Sequence, residues 1–127
     1  MKLLLDTHTF IWWDSNPAQL STPALTALRD SANTVLLSVV SVWEIIIKAQ
    51  LGKLRHGLPI ADLVMRQQAN GLELLPVSVE HVFALDGLPL IHKDPFDRLL
   101  ISQAIVEGAE LVSKDQAFSC YPVRVMW

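Results

Sequence analysis

The stretch that most constrains this chain is the first one, Met1 to His8 (MKLLLDTH), an apolar run that stops on Asp6. Its apolar residues are consecutive rather than alternating. Such a run reads as a strand buried on both faces, as in the middle of a parallel sheet. Asp6 then stands at that strand's carboxyl end. In open α/β sheets this edge binds ligands, because strand-to-helix loops open there and helix N-termini point towards it. Asp is also a frequent helix N-cap, so both roles are open for Asp6 taken alone. The choice depends on whether other polar groups are sent to the same edge.

The rest of the chain alternates helix and strand signals. Thr7 to Asp14, with Phe10, Ile11, Trp12 and Trp13, reads as a short helix or turn. Thr22-Pro23 starts a helix through Ala32, with Thr22 as cap and Pro23 at the first helical position. Val35 to Ser38 is a second strand, and Val39 to Leu51 a helix ended by Gly52. On that helix Val39, Val42, Trp43 and Ile46 share one face, while Ser41, Glu44 and Lys48 share another. After a break at Gly57 to Pro59, a helix spans Ile60 to Asn70 and closes on Gly71. Leu72 to Val77, interrupted by Pro76, suits an edge strand. Ser78 opens a helix over Val79 to Asp86. A loop containing His92-Lys93 leads to Asp94-Pro95, which starts the longest helix, through Glu107 and ended by Gly108. Glu110 to Ser113 and Val123 to Met126 are the last strands, with a short helical turn, Lys114 to Phe118, between them. Strands alternating with helices, and no Asn-Gly hairpin turn, give an α/β fold with a central parallel sheet covered on both faces.

At 127 residues the expectation is a single domain, 1–127. Hydrophobic residues make up 51% of the chain, enough for a buried sheet and a further apolar surface kept for a partner chain. The longest apolar stretch, Val35 to Ile47, carries Glu44 and falls well short of the ~20 residues a membrane span needs. The N-terminal run has no small-residue cleavage site, so a cytoplasmic protein is expected. A lone cysteine, Cys120, offers neither an internal disulfide nor a zinc site. A net charge of −3 argues against a broad basic nucleic-acid face. An enzyme that meets phosphate through a bound cation stays open.

Parallel strands deliver their carboxyl ends to one side. Asp6 and Asp115 follow strands, and Glu44 and Asp97 lie in or near the early turns of helices that begin at that edge, so the four acids can converge. Each has a local alternative: Asp94 and Asp97 suit a helix cap and first turn, Glu44 and Lys48 suit a solvated i, i+4 pair, and Asp115 suits the cap of its own turn. Yet Glu44 interrupts VVSVWEIII, where an unbalanced carboxylate is costly. Two carboxylates about 4 Å apart repel by about 4 kcal/mol at an effective dielectric of about 20. The cluster therefore calls for protons or a divalent cation, and neutralising Glu44 or Asp97 is expected to stabilise the cation-free chain. Oxygen donors favour Mg²⁺ or Mn²⁺ over Zn²⁺. The chemistry implied is cation-assisted phosphodiester hydrolysis, with no dedicated histidine base.

The segments LLLDTH, SVVSVWEIIIK, KDPFDRLLISQA and LVSKDQAF, in this order and spacing, resemble PIN-domain ribonucleases of the VapC toxin type, nearly end to end. The resemblance implies a three-layer α/β/α sandwich, a Mg²⁺- or Mn²⁺-dependent endoribonuclease, a homodimer, and inhibition by a cognate antitoxin. It places the family's acids on Asp6, Glu44, Asp97 and Asp115, with Asp94 as a second candidate within DPFDRLL. Thr7 and Ser113 offer hydroxyls to a carboxylate or phosphate, and Lys48, Lys93, Arg98 and Lys114 offer cations to RNA phosphates. His8 is a candidate to line the cleft. His56, His81 and His92 have no pairing that suggests a metal site. Trp12, Trp13 and Trp43 suit core or dimer packing better than base stacking. The competing readings are an Asp-nucleophile phosphatase or phospho-acceptor domain, and a non-catalytic binding module. Haloacid-dehalogenase-like phosphatases expect an acid two residues after the first, and here that residue is His8.

Overall fold

The computed structural model describes residues 1–54 and 57–127. His56 lies outside them. A parallel sheet is ordered β3-β2-β1-β4-β5, with β1 (Lys2–Leu5) at its centre, β2 (Thr34–Ser38) and β4 (Glu110–Val112) beside it, and β3 (Glu73–Leu75) and β5 (Val125–Met126) at the edges. Leu3 pairs with Val35 on one side and Glu110 on the other, so β1 is hydrogen-bonded along both flanks. The opening apolar run is the middle strand, as its composition requires. β3, with its Pro76 neighbour, is an edge.

Alternation along β1 divides the core. Leu3 and Leu5 pack with Phe10, Leu28, Leu37, Ile45, Leu63 and Val112 on one face of the sheet. Leu4 packs with Leu36, Leu100, Ile101, Ala104, Leu111 and Phe118 on the other. Helices α1 (Thr7–Ser15), α2 (Thr22–Arg29) and α4 (Ile60–Ala69) supply the first layer. Helix α6 (Pro95–Glu107) supplies most of the second, while α3 (Val39–Gln50) sends Ile45 to one core and Val40 to the other. The three-layer α/β/α arrangement follows. Leu4 is wholly buried, so Leu4→Ala is expected to cost about 3 kcal/mol, read as a lower midpoint in urea at unchanged slope.

Several boundaries differ from the sequence reading. α2 starts on Ser21, whose Oγ accepts from the Ala24 N–H at 3.2 Å, so Ser21 rather than Thr22 is the cap. The helix stops at Arg29, not Ala32, because Asp30 turns back to accept from the Ala32 N–H at 2.9 Å. Helix α5 (Val79–Ala84) ends early and passes into a 3-10 turn over Leu85–Gly87. The turn placed at Lys114 to Phe118 is a 3-10 helix over Gln116–Cys120, capped by Asp115. Gly108, at φ 64°, closes α6 in the left-handed conformation that glycine adopts without strain.

His81, in the first turn of α5, is buried. Its Nδ1 accepts from the Ser78 N–H at 3.0 Å and its Nε2 meets Glu107 Oε2 at 2.9 Å, tying α5 to the end of α6. Its role is structural.

Candidate active site

Asp6 leaves β1 with 8% exposure and caps α1: its Oδ1 accepts from the Thr9 N–H at 2.8 Å. Its Oδ2 accepts from Ser113 Oγ at 2.5 Å, across from the end of β4. The cap and the site are therefore one residue. Ser113 Oγ also accepts from the Asp115 N–H at 3.0 Å, so a single hydroxyl joins the two strand ends that carry acids. Burial raises the Asp6 carboxyl above its ordinary range, and the donors from Ser113 and Thr9 oppose that shift.

Glu44 is 3% exposed, and the Glu44–Lys48 pair is not the solvated one its spacing allowed. Thr7 Oγ1 donates to Glu44 Oε1 at 2.6 Å, and Lys48 Nζ donates to Oε2 at 2.5 Å. Both oxygens already have a protein donor. The hydrogen bond from Glu44 is the main influence raising Lys48, with the charges of Asp94 and Asp97 adding to it. Lys48 is thus a cation set among acids, rather than a free phosphate binder.

Asp94 caps α6 through Oδ1, which accepts from the Phe96 N–H at 2.8 Å and the Asp97 N–H at 3.2 Å. That leaves Asp97, one turn into the helix, facing the edge. Its carboxyl is pushed up to about 6, first by burial and then by the charge of Asp94, with Glu44 adding to the rise and a hydrogen bond from His92 opposing it. His92 Nε2 stands 2.7 Å from Asp97 Oδ2. His92, Asp97 and Asp115 present ligand atoms that all lie within 4.8 Å of one another, the only such group of His, Cys, Asp and Glu among the described residues.

This corrects the sequence reading, which gave His92 no partner for a metal site. The approach is made by a loop fold and not by a helical or strand period, so spacing alone carries little signal of it. Arg98 is also corrected. Its Nη1 donates to Pro89 O at 2.8 Å and to the Tyr121 hydroxyl at 3.3 Å, so the guanidinium fastens the loop before α6 and is not held out to RNA. Asp6, His8, Trp12, Lys114 and Asp115 line one open cavity of about 220 Å³. Lys114 and His8 are exposed there, at the rim of the acids; Lys93 is exposed outside that cavity. Trp12 lies between His8 and Trp127 in tilted ring contacts, with centroids at 5.8 and 5.9 Å, and with Trp13 packs on the core. Trp43 is 58% exposed, edge-on to Phe96 at 5.0 Å, and is not a core residue. Cys120 is exposed.

The shift at Asp97 fixes a pH dependence. Its folded value of about 6 exceeds the ordinary 3.8, so the fold favours the protonated acid. In the cation-free protein that contribution is complete below pH ~4 and is lost as pH rises through ~6. A cation must displace the same proton. The rise in melting temperature produced by a saturating divalent cation is therefore expected to be small at pH 5 and full at pH 7.5, as thermal scans at both values will measure.

Donors of this kind suit a divalent cation: carboxylates converge where helix and strand ends meet, and at least one is held uncharged-prone by burial until something balances it. Comparison with known proteins agrees in fold. Ribonuclease VapC22 of Mycobacterium tuberculosis is 28% identical over 115 residues, covering 90% of this chain and 87% of that protein. Among solved structures, VapBC2 from Rickettsia felis bound to a DNA fragment from their promoter superposes with a TM-score of 0.74 at 18% identity, over 99% of this chain and 98% of that one. DNA-bound VapBC from Salmonella typhimurium gives 0.69 at 17% identity, over 99% and 97%. The family profile of the PIN domain matches residues 3–123, which takes in all of β1 but Lys2, every acid of the edge and the loop that brings His92 to them. With that match the chain belongs to the PIN domain family.

Proposed function

We propose that this protein is a divalent-cation-dependent endoribonuclease, a hydrolase acting as the toxin of a toxin–antitoxin pair. The observation that carries the reading is the meeting of Asp97, Asp115 and His92 beside Asp6 and Glu44 at the carboxyl edge of a PIN sheet. Asp97 and Asp115, with Asp6 and Glu44, hold Mg²⁺ or Mn²⁺; Asp94 serves as the cap that aims Asp97. Bound there, such a cation would acidify and orient an attacking water and balance charge on the phosphate. The chain's own groups do the rest. Ser113 and Thr9 fix the Asp6 carboxylate, Thr7 and Lys48 fix that of Glu44, and Lys114 stands at the rim where an RNA phosphate would lie.

The phosphatase reading fares worse. Haloacid-dehalogenase-like phosphatases expect a second acid two residues after the first, and that position here is His8, an exposed imidazole. A binding module would have no use for an edge of mutually repelling acids.

The protein partners are a cognate antitoxin and a second copy of this chain, with RNA as substrate. Val39, Trp43 and Ile46 on α3, with Met65 and Leu74, leave apolar surface exposed around a groove of about 470 Å³. This is the apolar excess that composition predicts, and a protein partner would cover it. No helix among the described residues is long and apolar enough to cross a membrane. The site of action is the cytoplasm.

Purified protein is expected to cleave single-stranded or looped RNA with Mg²⁺ or Mn²⁺, to stop in EDTA, and to lose cleavage in Asp6→Asn. Asn retains a cap oxygen, so that variant tests chemistry with the helix start intact. Undiminished cleavage in EDTA would overturn the reading, and an acyl-phosphate trapped on Asp6 would favour the phosphatase.

A further inference from the structure

We propose that His92 is a direct cation ligand, which adds one imidazole nitrogen to the carboxylate donors and tunes the site to Mn²⁺ over Mg²⁺. The proposal rests on the cation-dependent reading above and names what selects the cation.

Geometry is the first support. Ligand atoms about 2.1 Å from a common ion lie ~3 Å apart when adjacent and ~4.2 Å apart when opposite. One ring nitrogen of His92 and one oxygen each of Asp97 and Asp115 lie within 4.8 Å of one another, and His92 Nε2 stands 2.7 Å from Asp97 Oδ2.

The second support is how the imidazole is held. The His92 backbone N–H donates to the Tyr121 hydroxyl at 2.6 Å, which fixes the main chain that bears the ring, and the ring stands edge-on to Phe118 with centroids 6.5 Å apart. Arg98 binds that same hydroxyl and Pro89 O, which fastens the loop on the other side. The loop that carries His92 is thereby tied at both ends of the histidine's approach to Asp97. A surface histidine that merely drifts near an acid has no such support.

Chemistry then sets the preference. Mg²⁺ keeps its waters and takes oxygen, whereas Mn²⁺ accepts imidazole nitrogen beside carboxylates. A cation held by Nε2 would need the neutral ring in the tautomer that carries its hydrogen on Nδ1, which leaves lone pairs of Nε2 and of the Asp97 carboxylate to face the ion.

The test uses the whole chain with MnCl₂ and MgCl₂ as titrants, and pulsed electron paramagnetic resonance of the Mn²⁺ complex. Wild type is expected to bind Mn²⁺ at least about tenfold more tightly than Mg²⁺ and to show ¹⁴N coupling from a coordinated imidazole. His92→Gln is expected to lose that coupling and about tenfold in Mn²⁺ affinity, with Mg²⁺ affinity within about twofold of wild type. Tight Mn²⁺ binding and cation-dependent cleavage without ¹⁴N coupling in wild type would overturn the role of His92 and leave the nuclease reading standing. Failure of wild type to bind either ion would overturn both. The spectroscopic arm is read on wild type, so it decides the matter even if His92→Gln does not fold.

Discussion

Asp97→Asn is expected to lower RNA cleavage by about a thousandfold while making the cation-free protein more stable. The two effects share a cause. Asp97 is a carboxyl that burial and the charges of Asp94 and Glu44 push up to about 6, so at pH 7.5 the fold holds a charge it disfavours. Asn keeps the shape and removes that charge, which is expected to add about 1 kcal/mol, or about 3 °C in melting temperature. A loss of about 4 kcal/mol of cation-derived stabilisation of the transition state corresponds to the thousandfold. Thermal scans with and without Mg²⁺ or Mn²⁺, beside cleavage assays, check both halves. A less stable Asp97→Asn protein would mean that the charge is balanced within the fold.

Glu44→Ala is expected to go the other way in stability, by about 2 to 3 kcal/mol. On the sequence, Glu44 and Asp97 are equivalent members of a repelling cluster, and neutralising either should help. The structure separates them. Glu44 accepts from Thr7 Oγ1 and Lys48 Nζ, so its removal strips a buried hydroxyl and a half-buried ammonium of their acceptor. Removing one partner of such a pair costs more than the pair contributes net. Urea denaturation at pH 7.5 of Glu44→Ala and Asp97→Asn side by side is the check, and opposite signs are the expected outcome. Equal signs would mean that Lys48 does not balance Glu44.

The contrast marks what can be read from residue order. Parallel strands put their ends on one side whatever their sequence, so LLLD and LVSKD announce that Asp6 and Asp115 share an edge, and DP announces where α6 begins. The central place of β1 follows from its unbroken apolar run. What spacing carries poorly is who touches whom at that edge. Lys48 at i+4 from Glu44 is compatible with a solvated pair or a buried one, and only the packing of α3 against α1 decides. Arg98 sits in a motif rich in acids and looks free for a phosphate, but the Pro89 carbonyl and Tyr121 claim it. His92 reaches Asp97 through the path of a loop tied down by a tyrosine nearly thirty positions later. Loop paths of that kind have no period to read. Cap residues shift by one for a related reason: Ser21 and Thr22 are both good caps, and the chain direction before the helix selects Ser21.

The strand order also governs when the site can exist. β1 is made first, yet one of its two neighbours, β4, spans residues 110–112, and the hydroxyl that steadies Asp6 belongs to Ser113. Until those residues have been synthesised, the opening strand has an open flank and Asp6 and Asp115 have nothing to join them. Contacts this distant along a chain form late and slowly. A growing chain therefore carries Asp6, Glu44 and even Asp97 through translation without an assembled centre. The order of the strands makes the joining of Asp6 to the Asp115 end of the edge wait for residues 110–115.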